Sequence, residues 1–302
     1  MATLAPIVLI AYKRPDLTEK ALESLAANPE AAESELYVFA DGPKAGSTEA
    51  DQQHIDATRR VIRSRNWCGK VHITERVQNY GLAKSVITAV AEVVAKHGRV
   101  IVVEDDLVLS PFFLQYMNKA LDMYEDEPQV ACIHGYVYPI QEKLPPTFFI
   151  RGADCWGWAT WERAWKQFEP DGQKLYDAIR LKGEARTFNF DNTYDYMKML
   201  RKQISGQNDS WAIRWHASAF LKNMVTLYPG RSLVQNIGTD SSGTHMDASD
   251  AQHFDVLLSD KMIALKKLPP TPDEAATNAF IEYFRSIKPG FFKKVINMVK
   301  RK

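Results

Sequence analysis

The sequence predicts an α/β fold: a mainly parallel, doubly wound sheet flanked by helices, with a helical region over its ligand-binding edge. Three observations lead there. Short, almost wholly apolar runs alternate with amphipathic helical patterns through the first 135 residues. Turn residues bound each run, and no run approaches the ~20 residues that cross a bilayer.

Taken in order, the runs are PIVLIA (6–11), LYVFA (36–40), KVHIT (70–74), VIVV (100–103) and VACIH (130–134). Strands this short and this apolar are covered on both faces, the habit of parallel sheets. Between them, residues 16–27 place Leu17, Ala21, Leu22 and Leu25 on one side of a helix, and Thr48 with Asp51 forms a capping box opening a helix over 49–65. Leu82, Val86, Val90, Val93 and Val94 make a stripe that stops at Gly98, and Ser110-Pro111 reads as an N-cap followed by proline at the first helical position. The resulting βαβαβαβ order puts a ligand site at the carboxyl ends of the strands.

The composition changes near residue 145. Pro145-Pro146 is followed by CWGWATWERAW, which holds four of the seven tryptophans, and helical patterns follow over 159–168, 173–182, 190–205 and 210–222. The glycine-rich NIGTDSSGTHMDASD comes next. We divide the chain into an α/β half (1–140), a region packed on the same sheet (141–250) and a C-terminal segment (251–302) ending in a basic amphipathic tail. That tail, RSIKPGFFKKVINMVKRK, carries seven basic residues and no acidic one, with Phe291, Phe292, Val295, Ile296 and Val299 at helical spacing. It suits an anionic membrane surface, and the competing reading is a helix docked on the domain by its apolar face.

Thirty-eight basic against 37 acidic side chains remove the electrostatic case for a dedicated nucleic-acid binder. Cys68, Cys132 and Cys155 show no metal-finger or CxxC spacing, and an odd count fits a reducing compartment. With no basic leader before its first apolar run, the chain is expected in the cytoplasm, peripheral at the membrane's inner face where the tail engages it.

One stretch, RVIVVEDDLVLSP (99–111), drives the functional reading. Glu104, Asp105 and Asp106 stand together where a buried strand ends, and neighbouring carboxylates repel unless water, protons or a cation relieves them. A solvated acidic turn is the bland alternative. A hard divalent cation such as Mn²⁺ or Mg²⁺, bound through one or two carboxylates and substrate phosphates, is the better account at that edge of the sheet.

VVEDDLVLSPFF after the fourth strand, with IVLIAYKRP at the first, VFADG at the second and NYGLAKS after the third, resembles the metal-dependent GT-A glycosyltransferases. The likeness is to the N-acetylglucosaminyltransferase I type and its bacterial family 2 relatives, and it continues more weakly through CWGWATW, NDSWAIRW and GTDSSGTH. It implies a GT-A, Rossmann-like sheet whose first 140 residues bind a nucleotide-sugar and whose 141–250 region holds the acceptor and the catalytic base. It implies that Asp106 ligates the metal while Glu104 and Asp105 face the ribose or donor sugar.

The resemblance sets Arg14 against the diphosphate and Asp41 against the base or ribose, where a turn-forming Asp-Gly competes as an explanation. Asn79 and Lys84 stand at a helix start suited to an anion. Inverting transfer also requires a carboxylate to take the acceptor hydroxyl's proton. The resemblance assigns this to Asp209, whose position also suits an N-cap, and the chain has Asp-Ser there where the family keeps paired acids.

His245 is a candidate extra metal ligand, with Asp240 weaker, against simple loop exposure. Trp156 and Trp158, with Asp154 at the rim, offer a sugar platform; Trp161 belongs to the same cluster, and tryptophans so spaced also suit a core. The expected partners are a nucleotide-sugar, in first place a UDP-sugar, and a glycan or lipid-linked glycan acceptor. A nucleotidyltransferase is the second enzymatic class, set back by the lack of a glycine-rich phosphate loop at the first strand, and a non-catalytic sugar-binding module is the third.

Overall fold

The computed structural model describes residues 3–238 and 253–288. The strands are β1 (Ile7–Ala11), β2 (Glu35–Ala40), β3 (Lys70–Glu75), β4 (Arg99–Glu104), β5 (Leu107–Leu109), β6 (Val130–His134), β7 (Thr147–Arg151), β8 (Trp158–Trp161), β9 (Val225–Pro229) and β10 (Val234–Asn236). The helices are α1 (Pro15–Ala26), α2 (Glu49–Arg63), α3 (Leu82–His97), α4 (Phe113–Met123), α5 (Glu162–Trp165), α6 (Gly172–Leu181), α7 (Ala185–Phe188), α8 (Tyr196–Ile204), α9 (Trp211–Leu221) and α10 (Glu274–Ile287).

Eight strands form one sheet in the order β3-β2-β1-β4-β8-β6-β9-β7. The first four are mutually parallel, β8 runs antiparallel between β4 and β6, and β7 runs antiparallel to β9 at the far edge. This is the α/β, Rossmann-like architecture expected of the sequence.

The alternation of the strand sequences explains the layering. Ile7, Leu9, Ala11, Leu36 and Val38 face α1 and α4 in one core, while Val8, Ile10, Val100 and Val102 face α3 and α9 in another. The capping box is present: the Thr48 hydroxyl accepts from the Asp51 N–H and the Asp51 carboxylate from the Thr48 N–H. α3 ends at Gly98, whose φ of +78° is the left-handed value that glycine takes without strain.

Four local expectations fail. β3 is a half-exposed edge strand, because no strand flanks it on its outer side. The helix expected over 159–168 is the strand β8 followed by one helical turn, since the slot between β4 and β6 supplies hydrogen-bond partners on both sides. α4 starts at Phe113, beyond the Ser110-Pro111 turn, and the Ser110 hydroxyl donates to the Ser259 carbonyl at 2.7 Å. The 190–205 pattern is helical only from Tyr196, because Phe190, Asp191 and Asn192 all hold positive φ. Among the described residues no helix is long and apolar enough to cross a membrane. The tail from 289 onward lies outside the described residues.

Candidate active site

The carboxyl ends of β1 to β4 gather most of the expected donor-side residues, and the chain reaches each by a short loop. β1 ends at Ala11 and Arg14 sits at the cap of α1, so its guanidinium turns back over the end of β4. There it donates to Asp106 at 3.0 Å and also to Asp105. Asp105 is buried and accepts the Tyr12 N–H at 3.3 Å. Glu104 accepts no hydrogen bond from any described residue. Burial first, then the neighbouring Asp106 and Asp105 charges, push its carboxyl up to about 8.

Burial likewise raises Asp105 to about 6, although Arg14 opposes the shift. Burial works against the Arg14 charge, yet Asp105 and Asp106 outweigh it and hold its pKa above the ordinary value. One guanidinium thus bonds two of the three carboxyls. The set fits a divalent cation in charge and in oxygen chemistry. Among the described residues no three His, Cys, Asp or Glu side chains form a preorganised metal cage, so any ion there takes further ligands from substrate or solvent.

Asp41, expected at a base or ribose, is spent on the protein. One of its oxygens accepts from Arg76 at 2.8 Å and Ser85 at 2.9 Å, and the other accepts the Tyr80 N–H at 3.1 Å. It therefore ties the end of β2 to the start of α3. The Asn79 side chain accepts the Gly81 N–H at 2.9 Å and shapes the same turn, while Lys84 is exposed with its ammonium 4.6 Å from the Tyr80 ring centre.

Asp209 is not the cap of α9. That role falls to Ser210, whose hydroxyl accepts the Ile213 N–H at 3.3 Å. The Asp209 carboxylate is left 65% exposed, with a loose 3.7 Å ion pair to Arg214. It lies 3.6 Å from where a Cβ on Gly81 would stand, so it faces the mouth of α3.

The tryptophans divide. Trp158 is wholly buried among Trp165, Trp211 and Trp215, and Trp161 is buried as well, so neither is a sugar platform; β8 carries both into the cores. Trp156 stays at the rim, edge-on to Tyr136. Asp154 beside it accepts the Tyr228 hydroxyl at 2.8 Å. His245 and Asp240 lie outside the described residues.

Three contributors escaped sequence reading. Arg76 follows β3 with no motif around it. His134, buried, accepts the Trp156 N–H at 3.0 Å and so holds the Asp154 loop. Gly238 follows β10, which pairs with β5, and the Ile237 N–H donates to the Asp106 carbonyl at 2.8 Å. A Cβ at Gly238 would come within 2.3 Å of the Asp106 carboxylate, so only glycine lets the chain pass there. The glycine is visible in NIGTD, but the closeness is not.

The family model described as "Glycosyl transferase family 2" matches residues 7–207. No curated protein matches the chain. Among solved structures it is similar to the crystal structure of S. aureus TarS, at 18% identity and a TM-score of 0.31, over 50% of this chain and 25% of that one.

Proposed function

The chain belongs to glycosyl transferase family 2 and is a glycosyltransferase, and on that premise we propose an inverting, metal-dependent transfer from a nucleotide-diphospho-sugar, first of all a UDP-sugar, to a hydroxyl of a glycan. The observation that carries this reading is Glu104: a strand-end carboxyl without a hydrogen-bond donor among the described residues, pushed up to about 8 beside two further acids. Three neighbouring acids with one guanidinium bonded to two of them are what a cation and a diphosphate would together complete.

Asp106 would hold Mn²⁺ or Mg²⁺, with Glu104 and Asp105 toward the ribose or donor sugar. When bound, the ion supplies Lewis-acid stabilisation of the departing diphosphate. Arg14 would present its two-pronged donor to phosphate oxygens. Asp209, exposed and free of capping duty, takes the acceptor hydroxyl's proton. Trp156 and Asp154 line the acceptor side. The closer likeness to the N-acetylglucosaminyltransferase I type belongs to this proposal. So does work at the cytoplasmic face on a lipid-linked or cell-envelope glycan, which the basic aromatic tail supports.

The test pairs two variants. Asp106→Ala should abolish Mn²⁺-dependent UDP binding in a thermal-shift assay. Asp209→Asn should keep that binding and lose about 10²–10⁴ in turnover. Undiminished turnover in Asp106→Ala would refute the metal role, and undiminished turnover in Asp209→Asn would refute the base.

A further inference from the structure

Away from the acidic triplet, the far edge of the sheet carries a cavity of about 450 Å³ between β7, α7, α9 and α10. No residue of the acidic end or of the Asp209 segment lines it. Its walls include Phe188, Phe190 and Phe220, and its polar groups include Arg151, His216 and Asn278.

His216 is the telling residue. It is only 7% exposed, and its Nδ1 stands 2.8 Å from the Ala153 carbonyl and 3.3 Å from the Ala153 N–H, so Ala153 occupies Nδ1 and Nε2 is the ring nitrogen left for another partner. That Nε2 is buried without a partner among the described residues. Buried polar atoms are nearly always satisfied, so an orphaned ring nitrogen beside a cavity asks for a hydrogen-bonding group from a ligand.

The charges nearby are already matched. Arg151 donates to both oxygens of Glu184 at 3.0 Å and stacks 3.8 Å from the Phe220 ring centre, and Asp191 pairs with Arg186. Among the described residues that line the cavity, an anion would find no unpaired cation and a cation no unpaired carboxylate. The cavity therefore offers aromatic faces, one buried imidazole nitrogen and the Asn278 amide. These suit the C–H face and the hydroxyls of a sugar ring, and the volume falls within the usual range for small-ligand sites. The adjoining turn at Phe190, Asp191 and Asn192 holds φ of 46°, 55° and 62°, a strained run that the surrounding packing maintains.

We propose that this cavity is a second carbohydrate subsite, taking one neutral pyranose unit of the acceptor glycan, with a sugar hydroxyl hydrogen-bonded to His216 Nε2. The proposal rests on the glycan-acceptor reading above and adds where a longer acceptor is gripped. Through Nδ1, His216 also holds Ala153 next to Asp154, so an occupied cavity steadies the loop that carries Asp154 and Trp156.

Maltotriose, cellotriose and chitotriose, titrated separately into the full chain without nucleotide and followed by saturation-transfer NMR, test it. At least one should bind in roughly the millimolar range. Two variants should weaken that binding at least about tenfold while leaving Mn²⁺–UDP binding unchanged. Asn278→Trp blocks the mouth from an exposed helix position. His216→Asn retains an amide near the Nδ1 position and has nothing at Nε2. Failure of all three sugars to bind the unaltered protein, or binding that survives both variants, would overturn the subsite. Trisaccharide binding in a protein that ignores Mn²⁺–UDP would uphold the subsite while removing the donor reading.

Discussion

Two of the arginine–carboxylate sites at the carboxyl ends of the strands differ: Asp41 with Arg76 is saturated, and the acidic end of β4 with Arg14 is not. At Asp41 and Arg76, both nearly inaccessible, every carboxylate oxygen has a protein donor and the guanidinium also reaches Ser85 and Thr88. At Arg14, one guanidinium answers Asp105 and Asp106 and leaves Glu104 alone. The same chemistry is closed on itself in one place and left open in the other. The difference lies in the count of donors: a half-buried acid beside two others and without a donor among the described residues favours a proton or a cation.

The largest effect should separate the two sites by stability. Asp41→Ala leaves the buried Arg76 charge unpaired and should cost about 3–5 kcal/mol in urea unfolding. Arg14→Ala should cost about 2 kcal/mol or less, because the acids it abandons can take up protons. Equal losses would break the comparison.

The pH response sharpens it. Glu104 titrates near 8 in the folded chain against an ordinary 4.5, and Asp105 near 6 against 3.8. Across that window the folded protein holds protons that the unfolded chain has released, so their contribution is full at low pH and is lost as pH rises through 8. The melting temperature of the metal-free protein should therefore gain from these groups as pH drops from 8 to 5. Glu104→Gln should flatten that slope, and saturating Mn²⁺ should reverse it. A slope unchanged in Glu104→Gln would show that another group governs it.

The smallest effect concerns neighbours on the acceptor side. Ser210→Ala should cost about 1 kcal/mol of stability and spare turnover. Asp209→Asn should do the opposite, since its carboxylate makes only the loose pair with Arg214. Calorimetry beside a transfer assay distinguishes them.

Local signals were legible where the chain's own neighbours decide the outcome. The Thr48 and Asp51 capping box, the end of α3 at Gly98 and the apolar strands β1, β2 and β4 depend on contacts within a few residues or on plain burial. WATW failed because the slot between β4 and β6 decides its state, and Trp158 went to the core with it. For Asp209 and Ser210, sequence spacing could place a cap but could not choose between adjacent residues.

By itself the sequence determined the alternating strands and helices, the acidic end of β4 and the arginine after β1, because hydrophobic periodicity and local charge are written residue by residue. Tertiary structure alone decided which acids would be satisfied. Asp41 found Arg76 across 35 positions, Gly238 came against Asp106 across 132, and Glu104 was left without a donor among the described residues. Hydrogen-bond partners are assigned by packing in three dimensions, and that assignment divides a structural carboxylate from a reactive one.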